Sequence, residues 1–267
     1  MKAAIIGGGN IGMALADGLV QARVCTPSDI TITRRSEGTL SQLSNKGYKT
    51  SIDNAAAIEK AEAIFICVLP QQLDNALTGI KTTIDLKKQL VVSVVTGAHT
   101  QVFRNALGDQ LRIIRAMPNT AMKVGESMTC IAAVNATQQD VTLVQNLFDT
   151  MGQTIVINED MMSAATALCA CGIAFFLRTI RAASQGGVEI GFHANDALRI
   201  AAQTAFGAAK LLIVNKTHPE EEIDKVTSPK GCTIAGLNEM EHQGLSSAMI
   251  KGIKLSSNIA NNLYKES

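Results

Sequence analysis

The sequence contains no tryptophan, two tyrosines and seven phenylalanines among 267 residues. It therefore lacks the aromatic side chains from which base-stacking platforms for nucleic acid are built. It also lacks an excess of either charge. Lys+Arg 24 against Asp+Glu 23 leaves +1, so no overall field steers it to nucleic acid or to an anionic membrane. No metal-ligand spacing is evident: His99, His193, His218 and His242 are scattered, and Cys169-Ala170-Cys171 has no second pair and no histidine nearby, so no metal is expected. No charged segment with a small-residue cleavage site precedes the first apolar run. Of six cysteines (Cys25, Cys67, Cys130, Cys169, Cys171, Cys232), five sit in apolar surroundings, which points to reduced thiols and a cytoplasmic location. From Met161 to Leu177 there are 17 residues without a charge. That is short of the roughly 20 that a membrane span needs, and Arg178 follows directly, so a buried helix is expected.

Small residues are abundant, with 35 Ala and 21 Gly. Such residues let helices approach closely, within a subunit or between subunits. The chain is 46% hydrophobic, enough for two domains. In the first half, short β-type runs at Lys2–Ile6, Ile30–Thr33, Ala63–Leu69, Leu90–Val95, Leu111–Ala116, Met128–Val134 and Thr154–Ile157 alternate with helical patterns at Asn10–Ala22, Gly38–Lys46, Asn54–Lys60, Thr100–Leu107 and Gln138–Met151. This alternation predicts parallel β-α-β units and an α/β, doubly wound Rossmann-type sheet. After Ile157 only helical patterns remain: Met161–Gln185, Asn195–Val214, Pro219–Thr227, Cys232–Gln243 and Leu245–Tyr264. The expected domains are residues 1–158, binding a dinucleotide, and 159–267, all-helical.

The first turn reads Ile6-Gly7-Gly8-Gly9-Asn10-Ile11-Gly12. It follows a strand and opens a helix, the context in which Gly-x-Gly-x-x-Gly binds a pyrophosphate. Gly7 allows the tight turn, Gly9 lets the phosphates approach the backbone, and Gly12 permits close helix-strand packing. An NAD site places a carboxylate at the end of the second strand to accept from the ribose 2′-OH. Here that strand ends in Arg34-Arg35-Ser36, which attracts a 2′-phosphate instead. NADPH is the expected cofactor, with NADH weaker. Further strand ends, Val68-Leu69-Pro70, Thr96-Gly97 and Pro118-Asn119, should line the same cleft and contact ribose and nicotinamide through main-chain groups.

Carbonyl reduction needs a positioned acid, commonly Lys, His or Tyr. The first long helix of the second half, Met161–Gln185, has neither Lys nor His. A protonated imine arrives already electrophilic, so the absence favours C=N reduction. A candidate substrate site is Val226-Thr227-Ser228-Pro229-Lys230-Gly231-Cys232-Thr233: Pro and Gly make a turn, a helix follows, and its free N–H groups suit a carboxylate. A plain helix cap is the alternative.

The Ser228-Pro229-x-Gly231-x-Thr233 stretch with Gly236-Leu237 and Glu241 resembles the signature of the pyrroline-5-carboxylate reductase family. Matches continue in order through Gly7–Gly12, Arg34–Ser36, Asn54, Val68-x-Pro70-Gln71, Ser93 with Gly97, Arg115-x-Met117-Pro118-Asn119-Thr120, Thr166-Ala167-Leu168 and Gln203-Thr204. The resemblance implies reduction of L-1-pyrroline-5-carboxylate to L-proline, the last step of proline biosynthesis, by hydride from NADPH. It implies that Thr233 is the catalytic contact to the ring nitrogen. Ser228, Gly231 and Cys232 would hold the carboxylate, and Asn54 would contact the adenine ribose. It further implies a homodimer or higher oligomer interlocked through the helical domain. The chain departs from the family pattern at Leu69, Lys230, Cys232 and Cys169–Phe175. A related NADP-dependent reductase for another cyclic imine or a hydroxy or keto acid, and a non-catalytic NADP-sensing module, remain open on the sequence.

Overall fold

The computed structural model describes residues 1–36, 38 and 40–264. Thr39 of the expected helix Gly38–Lys46 and the last three residues of the expected second domain lie outside them. Among the described residues, β1 (Ala3–Ile6), β2 (Ile30–Thr33), β3 (Lys49–Ser51), β4 (Ala63–Ile66), β5 (Leu90–Ser93), β6 (Ile113–Met117), β7 (Ser127–Val134) and β8 (Gly152–Val156) form one sheet. Their order is β3-β2-β1-β4-β5-β6-β7-β8. Ile6 is in register with Thr33 and Ile66, Ile66 with Ser93, and Ser93 with Arg115. With Ser51 of β3 in register with Thr33, six parallel strands end along one edge, and the direction of winding reverses between β1 and β4. In such sheets that edge is where a ligand sits.

The strand residues alternate between two cores, as a sheet covered on both faces requires. Ile5, Ile32, Phe65, Val92 and Ile114 pack on one face with Leu15 and Leu19 of α1 (Asn10–Gln21) and Val144 and Phe148 of α6 (Gln138–Asp149). Ile6, Ile64, Ile66, Val91 and Ile113 pack on the other with α3 (Asn54–Ile58), α4 (Leu73–Ile80) and α5 (Thr100–Leu107). The short α2 (Leu40–Asn45) completes the helices of this half.

Three features differ from the expected pattern. Strand β3 carries the polar run Lys-Thr-Ser, so it has no apolar alternation to betray it; backbone pairing to β2 alone makes it a strand. Helix α4 was not anticipated, although Leu73, Ala76, Leu77 and Ile80 are buried at helical spacing. Strand β7 runs antiparallel to β6, because the segment between them holds only a 3-10 turn, Thr120–Val124, too little for a parallel crossover.

The expected helix Met161–Gln185 is broken. It comprises α7 (Met162–Ala165), a π-helical segment at Thr166–Cys171 and α8 (Gly172–Glu189). Burial follows the break: Met162, Ala165, Ala167 and Cys169 are buried, while Phe176 and Leu177 are 60% and 59% exposed. The buried helix expected across Met161–Leu177 is therefore buried within one chain only on one face between Met162 and Gly172, with Met161 and Leu168 exposed. The remaining helices are α9 (Ala194–Asn215), α10 (Pro219–Lys225), α11 (Cys232–His242) and α12 (Leu245–Ala260).

The chain divides into two compact units, Met1–Cys171 with the segment from Lys254 onward, and Gly172–Ile253. The second unit, taken by itself, buries very little. Ile190, Phe192, Leu198, Ile200, Phe206, Leu211, Ile213 and Val214 are all exposed, and Ala197 is its one buried hydrophobic residue among those described. The stretches Glu159–Glu189 and Ala194–Asn215 are long and apolar enough to cross a membrane, by length and composition alone. Apolar faces of this extent mark an interaction surface. We expect light scattering to find a mass of at least two chains at micromolar concentration; a monomer would contradict this account of the second unit.

Candidate functional site

At the end of β1 the backbone turns through Gly7, whose φ is +102°. Its amide donates to Thr33 Oγ1 at 3.3 Å, and the Gly8 amide donates to the Thr33 carbonyl at 2.8 Å. A Cβ on Gly7 would lie 2.6 Å from the Cys67 carbonyl oxygen, and one on Gly8 would lie 2.6 Å from Ile32 Cγ2. On Gly12 a Cβ would overlap the carbonyl oxygen of Gly7. Gly9 differs, since a Cβ there meets nothing within 4 Å. Three glycines thus pack the turn against strands β1, β2 and β4, and the fourth leaves its outer side open.

Helix α1 begins at this turn with Gly9 as its N-cap. No side chain caps it and no carboxylate occupies its first turn, so the amides of Asn10, Ile11 and Gly12 head a helix that is open to an anion. Beside the turn, Arg34 Nε lies 3.1 Å from where a Gly8 Cβ would stand, and it is buried without a hydrogen-bond partner. Arg35 and Ser36 follow on the surface. An open helix start next to an unpartnered guanidinium N–H and a second arginine fits a dinucleotide with a 2′-phosphate.

Asn54 opens α3 behind the N-cap Asp53, whose carboxylate accepts from the amides of Ala55 and Ala56. Its side chain is half-buried and lies near Gly79. Val68 packs over Gly7, Leu69 is 62% exposed, and Pro70 starts a 3-10 turn. The Thr96-Gly97 turn has φ +81° at Gly97.

Pro118 and Asn119 are buried at the end of β6. The Asn119 side chain is committed to structure: its Oδ1 accepts from the Ala121 amide at 3.0 Å and its Nδ2 donates to the Cys169 carbonyl at 3.3 Å. The Cys169 thiol in turn donates to the carbonyls of Met128, at 2.7 Å, and Met117. Hydrogen bonding with Cys130 and burial push its pKa up, and burial pushes that of Cys67 up to about 12. Both thiols are held protonated and poorly reactive. Among the described residues no group of three or more His, Cys, Asp or Glu is placed to hold a metal.

In the second unit, Ser228, Gly231, Cys232 and Thr233 come together at one turn. The Gly231 amide donates to the Ser228 carbonyl at 2.9 Å, with Pro229 second and Lys230 third in the turn. Lys230 has φ +60°. This type II arrangement favours glycine at the third position. A Cβ on Gly231 would collide with Ser228 Oγ, so that hydroxyl lies over the start of α11. Gly231 caps α11 with no side-chain bond and no carboxylate in the first turn. Two residues absent from the sequence reading, Glu159 and Tyr264, reach the Thr96–Thr100 turn from distant parts of the chain; neither carries a local sequence signal.

Residues 159–263 match the family model for pyrroline-5-carboxylate reductase dimerisation, and residues 2–97 the model described as NADP oxidoreductase, coenzyme F420-dependent. Among curated relatives, pyrroline-5-carboxylate reductase 1 of Dictyostelium discoideum is 47% identical over 98% of this chain, which spans 50% of that protein's length. Pyrroline-5-carboxylate reductase 2 of the same organism is 45% identical over 95% of this chain and 90% of its own. The crystal structure of the Plasmodium falciparum pyrroline carboxylate reductase with NADP bound superposes with a TM-score of 0.91 at 22% identity, covering 99% of this chain and 98% of that one. Sequence identity at this level over nine tenths of a curated relative, with a matching dimerisation model, places the chain in the pyrroline-5-carboxylate reductase family.

Proposed function

We propose that this protein reduces L-1-pyrroline-5-carboxylate to L-proline with NADPH. The observation that carries the reading is the open N-terminus of α11, with Ser228, Gly231, Cys232 and Thr233 gathered at it. The substrate carboxylate is held by the Cys232 amide, the Gly231 backbone and the Ser228 hydroxyl, where the helix N-terminus contributes roughly 0.3–1 kcal/mol for an anion at an exposed end. Thr233 Oγ1 accepts from the protonated ring nitrogen and thereby fixes the orientation of C5. Bound NADPH supplies the hydride. Because the proton arrives on the imine, no side chain has to deliver one, consistent with a helix at 161–185 without Lys or His. Positioning then carries most of the acceleration.

On the cofactor side, the amides of Asn10–Gly12 receive the pyrophosphate, and the Ile6–Gly9 backbone lies beneath it. Arg34, Arg35 and Ser36 receive the 2′-phosphate, and Asn54 the adenine ribose. Val68–Pro70, Thr96-Gly97 and Pro118-Asn119 line the way to the nicotinamide. The functional division is residues 1–158 for cofactor and 159–267 for substrate and dimerisation, with the compact unit that holds the cofactor residues also taking in Glu159–Cys171 and the segment from Lys254. The exposed faces of α8 and α9 are covered by a second copy of the chain rather than by lipid, and the protein works in the cytoplasm without a nucleic-acid partner.

Replacing Thr233 with Ala should lower kcat for pyrroline-5-carboxylate by about tenfold or more, since a hydrogen bond to a charged group is worth about 1.5–3 kcal/mol. An unchanged steady-state rate would remove Thr233 from the mechanism, and no turnover by the wild type would remove the assignment. The double replacement Arg34→Ala, Arg35→Ala should lower kcat/KM with NADPH by more than tenfold and leave that with NADH within about twofold, as loss of charge-assisted bonds to one phosphate requires. Equal losses with both nucleotides would contradict the placement of the 2′-phosphate.

A further inference from the structure

The turn from β5 to α5, Thr96-Gly97-Ala98-His99-Thr100, is gripped from two directions by residues far away in sequence. One grip comes from Glu159, which opens the 3-10 turn three residues after β8. Its Oε1 accepts from the Thr100 amide at 2.7 Å and its Oε2 from the Thr100 hydroxyl at 2.9 Å. The same carboxylate pairs with Arg115 Nη1 at 3.3 Å, an arginine with only 3% of its side chain exposed. His99, the N-cap of α5, supplies no side-chain bond. Glu159 therefore caps α5 from another part of the chain and ties it to β6, the strand that ends in Met117-Pro118-Asn119.

The other grip comes from the end of the last helix. A Cβ on Gly97 would stand 3.0 Å from the Ala260 carbonyl oxygen and 2.9 Å from the Tyr264 amide nitrogen. Backbone from the C-terminal segment thus packs directly on the turn, and only glycine leaves room for it. Tyr264 also donates its hydroxyl to Asp74 Oδ1 at 2.8 Å and packs against the apolar core shared by α4 and α5. Ser163 donates to Asn261 Oδ1 at 3.2 Å, which joins the two gripping segments. Both belong to the first compact unit. They are the stretches by which the chain leaves that unit for the helical one and returns.

We propose that Glu159 and Tyr264 are positioning residues that fix the Thr96-Gly97 turn, and through it the nicotinamide end of the cofactor. This rests on the placement of the dinucleotide set out above. Neither residue touches the reacting atoms. The Glu159 carboxylate holds the end of the turn through Thr100, the Tyr264 hydroxyl anchors to Asp74 the backbone that packs on Gly97, and the turn holds the ring that gives the hydride. The adenine end, at Arg34–Ser36, is not braced by either residue.

The test compares wild type, Tyr264→Phe and Glu159→Gln in binding NADPH and its adenosine half, 2′,5′-ADP, and in steady-state turnover with NADPH. Tyr264→Phe keeps the ring packing and removes one hydrogen bond, so it remains informative if Glu159→Gln folds poorly. Each variant is expected to bind NADPH about five- to tenfold more weakly, to bind 2′,5′-ADP within about twofold of wild type, and to lose kcat as well as affinity. A larger primary deuterium isotope effect with 4-deuterated NADPH is expected in both, because hydride transfer becomes slower. A purely structural role would lower the melting temperature and leave these ratios alone. Unchanged NADPH affinity in both variants, or equal losses for NADPH and 2′,5′-ADP, overturns the proposal while leaving the function standing. A wild type that binds neither nucleotide overturns both.

Discussion

Gly12 has no space for a side chain because the carbonyl oxygen of Gly7 stands where its Cβ would be, and much of the nucleotide half depends on that approach. It brings α1 directly off the end of β1, with its first amides facing outward from the sheet edge. The registers of β1, β2, β4, β5 and β6 then bring Thr33, Ile66, Ser93 and Arg115 to the same edge. Gly8 continues the arrangement: its missing Cβ leaves room for Ile32 and for Arg34 Nε. One backbone contact thus sets the distance between an open helix start and a guanidinium, the two groups to which the proposed function gives pyrophosphate and 2′-phosphate. Larger residues at these positions would separate the two.

The helical half uses small residues differently. In the second unit, large apolar side chains point outward along α8 and α9, and among its described hydrophobic residues only Ala197 is buried. Such a unit does not stand on its own hydrophobic burial, and the family to which the chain belongs is matched here by a dimerisation model. The polar feature on which the proposed function rests is the turn ahead of α11. There the chain holds Lys230 at φ +60°, a conformation costing a non-glycine residue roughly 1–2 kcal/mol. The turn keeps its hydrogen bond between Gly231 and Ser228 nonetheless, so the geometry at the helix start is compatible with lysine at this position.

Features written in local pattern were readable from the sequence, and features made by distant pairing were not. The apolar runs of β1, β2, β4 and β5 show as strands because both faces are buried. The glycine turn shows because Gly7, Gly8 and Gly12 each answer a specific steric demand. Strand β3 is invisible because Lys49-Thr50-Ser51 carries no apolar signal, and the antiparallel β7 is hidden because orientation is set by what connects two strands. Helix α4 carries a local signal of its own, Leu73, Ala76, Leu77 and Ile80 buried at helical spacing. Among the proposed site residues, Arg34–Ser36 and Ser228–Thr233 announce themselves by charge and by turn chemistry. Glu159 and Tyr264 do not, since a carboxylate capping a helix 59 positions away and a tyrosine bonded 190 positions away leave no trace in their own neighbourhoods.

The claim at the centre of this account is that the phosphates lie against the open side of Gly9. That position offers a clean probe, because a Cβ there meets nothing within 4 Å and the backbone at φ −75° already suits an L-residue. Calorimetric titration of Gly9→Ala with NADPH, alongside its thermal unfolding without nucleotide, separates binding from folding. The account predicts unfolding within about 1 kcal/mol of wild type, the scale of an N-cap change, and NADPH affinity reduced at least tenfold. Wild-type affinity in a folded Gly9→Ala protein would contradict it.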